Sequence, residues 1–157
     1  MLSRLAGFIE RVLEGILLIA MAVMVVSICY QVFGRYVLNS APGWTEETAR
    51  FLMAWITMLA SARVLRKHEH IAVNVLASAL PSPYRDLLGW LRDTVILVMA
   101  GSLVWYGYAF AEIGGRRDSA ALEISMYWPH LAIPVGGAFI ALLLVLQRLS
   151  QLAGEEQ

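Results

Sequence analysis

The sequence predicts an all-α membrane protein, with four transmembrane helices and a short interfacial amphipathic helix between helices 2 and 3, in one integral membrane domain spanning residues 1–157. Three observations carry this expectation. Of 157 residues, 59% are apolar and only 15% charged, against roughly 45–50% and 25% in soluble domains. Four segments approach the ~20 apolar residues needed to cross about 30 Å of hydrocarbon. Between the second and third lies a charged, amphipathic stretch closed by Pro81-Ser82-Pro83.

The first helix is expected at about residues 12–33. Residues 15–34 contain no charged side chain; this run exceeds the roughly 7–15 residues of a signal-peptide core, and no small-residue cleavage site follows, so it reads as a retained anchor. Its one cysteine, Cys29, has no internal disulfide partner and reads as a small apolar residue. Glu14 stands before the uncharged run, where an acid suits a helix start or snorkels to the interface.

The second helix is expected at about residues 45–65. Its uncharged part, residues 51–62, is 12 residues long, roughly 18 Å at helical rise and too short to cross alone. It must therefore draw Glu46, Glu47, Arg50 and Arg63 toward the membrane boundary. Pro42 and Gly43 break the chain before it, Thr45 is the expected N-cap, and two acids in the first turn suit the helix dipole. Glu46 and Arg50 stand at i and i+4 with the acid first, and Glu47 and Arg50 are three apart, so either acid is a candidate partner for Arg50. One reading of this cluster is a solvated helix start; the other is a polar contact to another membrane subunit.

Residues 70–80 follow the run Arg66-Lys67-His68-Glu69-His70. Read as a helix, His70, Asn74 and Ser78 share one face beside an apolar stripe of Ile71, Val75 and Ala79. A strand also fits the alternation but would leave its backbone unpaired at a bilayer surface. The third helix is expected at about 87–113 and the fourth at about 128–149. In the fourth, Pro129 falls where its missing N–H is harmless, and Pro134 with Gly136 and Gly137 should kink the helix or permit close approach.

With four spans, one side holds eight Lys and Arg (Arg4, Arg11, Arg63, Arg66, Lys67, Arg85, Arg92, Arg148) and the other four (Arg35, Arg50, Arg116, Arg117). The positive-inside rule then puts both termini in the cytoplasm. Formal net charge is zero, with 12 basic and 12 acidic residues, so nothing suggests a nucleic-acid partner, while the apolar composition gives membrane lipids as the surroundings. No catalytic set, phosphate cradle or metal-ligand spacing is present, so neither enzyme activity, cofactor nor metal is expected. The three histidines are misplaced for a haem bundle: His68 and His70 lie in the inner loop and His130 near the outer end of helix 4. No charge is expected in the middle of helix 1, 3 or 4, where proton and ion relays need one. Small four-helix multidrug exporters use a glutamate in their first helix, but Glu14 lies outside the middle of this one.

Two stretches resemble the small membrane subunit, the DctQ-like family, of tripartite ATP-independent periplasmic (TRAP) transporters. The first runs from Phe33-Gly34-Arg35-Tyr36-Val37-Leu38-Asn39 through Trp44-Thr45-Glu46-Glu47 and Arg50 to Trp55, then Arg63, His68 and His70. The second comprises Ser119-Ala120-Ala121-Leu122, Met126-Tyr127-Trp128 and Ile133-Pro134-Val135-Gly136. The resemblance implies a scaffold in a bacterial inner membrane. It would pair with a large membrane subunit that imports an organic acid or sugar acid by a sodium-driven elevator, with a periplasmic substrate-binding protein delivering the solute. It also marks Arg35, Asn39, Trp44, Glu46, Glu47, Arg50, Trp55, His70, Pro134 and Gly136 as candidates for subunit contact and fold rather than for transport chemistry.

Overall fold

The computed structural model describes the backbone of residues 2–40, 42–77 and 82–152, and the side chains of 7–9, 11–40, 42–64 and 87–149. The chain forms α1 (Leu2–Tyr36), α2 (Gly43–Ala77), α3 (Ser82–Gly114), the single turn α4 (Tyr127–His130) and α5 (Ala132–Leu152). Three stretches are long and apolar enough to cross a membrane: Gly7–Tyr36, Leu87–Gly114, and Tyr127–Leu149 through α4 and α5. By its composition α2 is not among them, although it is as long as α1, at 35 residues.

The helices alternate up and down. The turn at 37–42 and the loop at 115–126 lie together at one end (the loop end), and α5 runs between α2 and α3, with α1 against α2. Of the three apolar stretches the one through α5 is the most buried, 44% of it against 11% in α1 and 17% in α3. The helices meet through small side chains: Ala62 of α2, Ala100 of α3 and Ala132 of α5 are buried, and the core of Leu13, Leu59, Ile140 and Leu143 closes around the first two. Close approach through small residues is how helices associate where lipid removes the hydrophobic drive between them. The outward faces of α1 and α3 carry Ile16, Ile19, Val23, Val26, Leu91, Val95 and Val98, all exposed. In water such faces would drive aggregation; in hydrocarbon they are matched to their solvent.

Two expectations change. The separate helix at 70–80 is not seen: residues 70–77 continue α2 without a break, because no Pro or Gly stands between Gly43 and Ala77 to end it. Residues 78–80 lie outside the described residues. Of the two outcomes expected for the Pro134-Gly136-Gly137 stretch, close approach holds and the kink does not: α5 runs through it unbroken, and the interruption in the last span falls at Leu131. Pro134 sits in the first turn of α5, where a missing N–H costs little, while the Leu131 N–H still reaches the Tyr127 carbonyl at 3.0 Å.

Candidate functional site

The loop end is organised by the first turns of α2. Pro42 turns the chain, and Thr45 is fully buried, donating its hydroxyl to the Pro42 carbonyl at 2.7 Å. Thr45 therefore sits inside the first turn rather than at the N-cap, since α2 already begins at Gly43. One residue before Thr45, Trp44 stacks on Tyr30 of α1 with ring centroids 5.9 Å apart. Two residues after it, Glu47 reaches across to the loop that follows α3. The Ser119 hydroxyl donates to Glu47 Oε2 at 2.6 Å, and the backbone N–H groups of Ala120, Ala121 and Leu122 donate at 3.0, 3.1 and 3.0 Å. A carboxylate offers about four lone-pair sites, so these four donors match its capacity.

The loop is shaped to present those donors. Asp118 and Ser125 form an isolated antiparallel bridge, the Ser119 N–H reaches the Ile124 carbonyl at 2.8 Å, and Glu123 takes a positive φ of 53° to close the turn. Gly43 lets α2 abut it, because a Cβ there would lie 3.2 Å from the Ala121 methyl.

This geometry decides between the two candidate partners of Arg50 in favour of Glu46. No Glu47–Arg50 pair forms: Glu47 faces the loop, and Arg50 binds Glu46 at 2.9 Å, one turn apart on the outward side of α2. Both acids stand within helical reach of Arg50, and the four donors of the loop hold Glu47 away from it. Asn39 holds the α1–α2 turn with a φ of 49°, a left-handed conformation that asparagine tolerates better than most residues. Arg35 is exposed in the last turn of α1, the favourable end for a cation. Trp55 packs on the core, Pro134 is buried against Gly107, and Gly136 touches the Met58 backbone. His70 lies on the α2 backbone with its side chain outside the described residues. The loop-end group thus comprises Asn39, Trp44, Glu46, Glu47 and Arg50, while Trp55, Pro134 and Gly136 belong to the helix packing below it.

Sequence reasoning missed a second cluster at the opposite end. Asp93 of α3 is 5% exposed and accepts from Arg92 Nε at 3.0 Å and Nη2 at 2.7 Å, and from Arg148 of α5. Beside it Glu14 of α1 meets Arg63 of α2 at 3.0 Å, so Glu14 has a partner on the neighbouring helix. The available signal was that Asp93 is an acid just inside the apolar boundary of α3, a costly place unless paired. His130 of α4 packs its ring on Phe110, centroids 4.5 Å apart, and its buried Nδ1 has no hydrogen-bond partner among the described residues.

The loop-end arrangement fixes one helix start to one loop, which is a structural act. Glu47→Ala is expected to free that loop: trypsin should then cut after the exposed Arg116 and Arg117 several-fold faster in detergent, while Glu46→Ala cuts at the parent rate. Glu47→Gln should also loosen it, because an amide turns a donor toward N–H groups that need an acceptor. Equal cutting of Glu47→Ala and Glu46→Ala would mean the clamp does not hold the loop.

Long helices with apolar outward faces, tied at both ends by polar contacts, define a multi-pass integral membrane protein. The sequence model of the DctQ component of tripartite ATP-independent periplasmic transporters matches residues 4–154, and the chain belongs to that family. It is similar to the sialic acid TRAP transporter small permease protein SiaQ of Vibrio cholerae serotype O1, 27% identical over 139 residues that cover 88% of this chain and 80% of that one. The C4-dicarboxylate TRAP transporter small permease protein DctQ of the same organism is 28% identical over 162 residues, covering 88% and 70%. The isethionate TRAP transporter permease protein DctMQ of Oleidesulfovibrio alaskensis is 28% identical over 130 residues, which cover 80% of this chain but 20% of that protein. The family accounts for a multi-pass protein of a bacterial inner membrane, working in transport.

Proposed function

We propose that the chain is the small, non-catalytic scaffold subunit of a TRAP-type secondary transporter. It crosses the membrane four times with both termini in the cytoplasm, and pairs with a large membrane subunit that imports an organic acid or sugar acid with sodium. A periplasmic binding protein delivers that solute. One observation carries the scaffold reading: the charged side chains described on the long helices lie outside the uncharged runs 15–34, 51–62, 94–111 and 124–147, and Glu14, Glu46, Glu47, Arg50, Arg63, Asp93 and Arg148 are bound within the chain itself. Coupling an ion to a solute needs ionisable or carbonyl ligands near mid-depth, and this chain's charges serve its own architecture.

The fourth span is supported by two contacts of α2 on either side of its uncharged run, 51–62. Glu47 meets the loop after α3 and Arg63 meets Glu14 of α1, so α2 keeps the same depth as its neighbours. Pairing is supported by the isethionate permease, in which the stretch similar to this chain makes up a fifth of a much longer polypeptide. The names of the three relatives all concern small organic anions, which is the ground for the substrate class.

Two measurements test the reading. Purified alone and reconstituted in vesicles, the chain should take up no sialic acid, C4-dicarboxylate or isethionate and expel no cationic dye. Co-expressed with the large membrane subunit of its system, it should purify in detergent as a complex with it. Dye export by the chain alone would replace the scaffold with a small multidrug-type exporter, and failure to co-purify would remove the pairing.

A further inference from the structure

Beyond its first turn, the exposed side chains described on α2 form a single row: Glu46, Arg50, Met53, Thr57, Ser61 and Val64. At 3.6 residues per turn these fall within about 80° of arc. The row is mostly polar. Its hydroxyls lie at mid-helix, where Thr57 donates to the Met53 carbonyl at 2.8 Å and Ser61 to the Thr57 carbonyl at 2.7 Å, leaving their acceptor lone pairs outward. At its top stands the Glu46–Arg50 pair, whose side chains are 58% and 65% exposed.

The central helix offers a built-in contrast. Beyond its first turns α5 also exposes one row of the same geometry, Ala138, Leu142, Val145 and Leu149, and that row is wholly apolar. The broad outward faces of α1 and α3 are dominated by Val, Ile, Leu and aromatic residues, with Thr94 and Ser102 of α3 among them but without an ion pair in line. Lipid satisfies the apolar side chains. It offers nothing to hydroxyls or to an ion pair, so a polar row at membrane depth is stable when another protein surface answers it.

We infer that the α2 row Glu46–Arg50–Met53–Thr57–Ser61 is the seam on which a helix of the large membrane subunit packs, through small or hydroxyl-bearing side chains along the row and a polar group opposite Glu46 and Arg50. This rests on the scaffold reading and says where the scaffold makes contact. The occupant is a larger membrane chain, not a second copy, because in the isethionate permease the matched stretch is covalently continuous with four times its own length of further protein.

The test uses the complex of this chain with the large membrane subunit of its TRAP system, in a Cys29→Ser background. Thr57→Cys, Ser61→Cys and the control Leu142→Cys are each labelled with a thiol-reactive benzophenone and irradiated, and adducts are identified by mass. The adduct with the large subunit should be at least about tenfold more abundant from positions 57 and 61 than from 142, since only the former face a protein surface. Two near-isosteric positions guard against one variant misfolding. Equal yields from all three positions, adducts with lipid only, or adducts between two copies of this chain would each overturn the seam. Failure of the unsubstituted chain to co-purify with the large subunit would instead overturn the scaffold reading beneath it.

Discussion

Asp93→Ala should be the most destabilising single change of a charged residue in the chain, costing about 2–4 kcal/mol. Breaking a buried ion pair by removing one partner costs about 3–5 kcal/mol because the other charge is stranded. Here the side chain of Asp93 is 7% exposed, whereas those of Arg92 and Arg148 are 26% and 36% exposed. The arginines can therefore snorkel part of their charge to the interface, which trims the upper end. What is lost is also topological, since Asp93 joins α3 to α5 at the end opposite the Glu47 clamp. Asp93→Asn, which keeps the shape and loses the charge, should fall between parent and alanine. The measurement is reversible unfolding in mixed micelles with Asp118→Ala, an exposed loop acid, as control. Matching losses for Asp93→Ala and Asp118→Ala would show that the cluster contributes nothing. A double-mutant cycle with Arg148→Ala should show coupling, because the two residues touch.

The helices were legible because apolar runs and their breakers act locally. Residues 15–34 can do little else in a bilayer, and Pro42-Gly43 ends one helix and starts the next. Glu46–Arg50 was legible for the same reason, as i and i+4 positions meet on any helix. Glu47 was not. Its partners lie 72 to 75 residues away, and its facing direction follows from the packing of α2 on the loop after α3. Yet its two halves were both in view as motifs: Trp44-Thr45-Glu46-Glu47 and Ser119-Ala120-Ala121-Leu122 are separate stretches of the family resemblance, and the fold joins them as acceptor and donors of one clamp. Asp93 escaped for a different reason. Its pairing depends on the register of α3 against α5, which no periodicity within either helix encodes. The short helix placed at 70–80 failed on a simpler point, for Pro81 gave a stop but nothing upstream gave a start.

Gly136→Ala should destabilise the chain where alanine ordinarily helps a helix. A Cβ at Gly136 would lie 2.7 Å from Met58 Cβ and 3.2 Å from the Met58 backbone carbon and oxygen, so relief requires moving the α2 backbone rather than rotating a side chain. At Gly137, one residue and about 100° further round the helix, a Cβ would lie 2.9 Å from Leu103 Cβ and 3.0 Å from the Ala100 carbonyl of α3. Adjacent glycines thus let α5 touch α2 on one face and α3 on the other, which explains its position as the central helix. Overpacking costs about 1–3 kcal/mol, set against about 1 kcal/mol gained from helix propensity. The net loss should be up to about 2 kcal/mol for alanine, rising steeply for Gly136→Leu. Gly101→Ala is the matched control, since nothing lies within 4 Å of a Cβ there, and it should be neutral or mildly stabilising. Both are read by unfolding in micelles, and equal stability of Gly136→Ala and Gly101→Ala would refute the close approach of α2 and α5. Because Met58 adjoins Thr57 in sequence, the same displacement should tilt the outward row of α2, so Gly136→Leu should also lower recovery of the large subunit while Gly101→Leu, facing open space, leaves it unchanged.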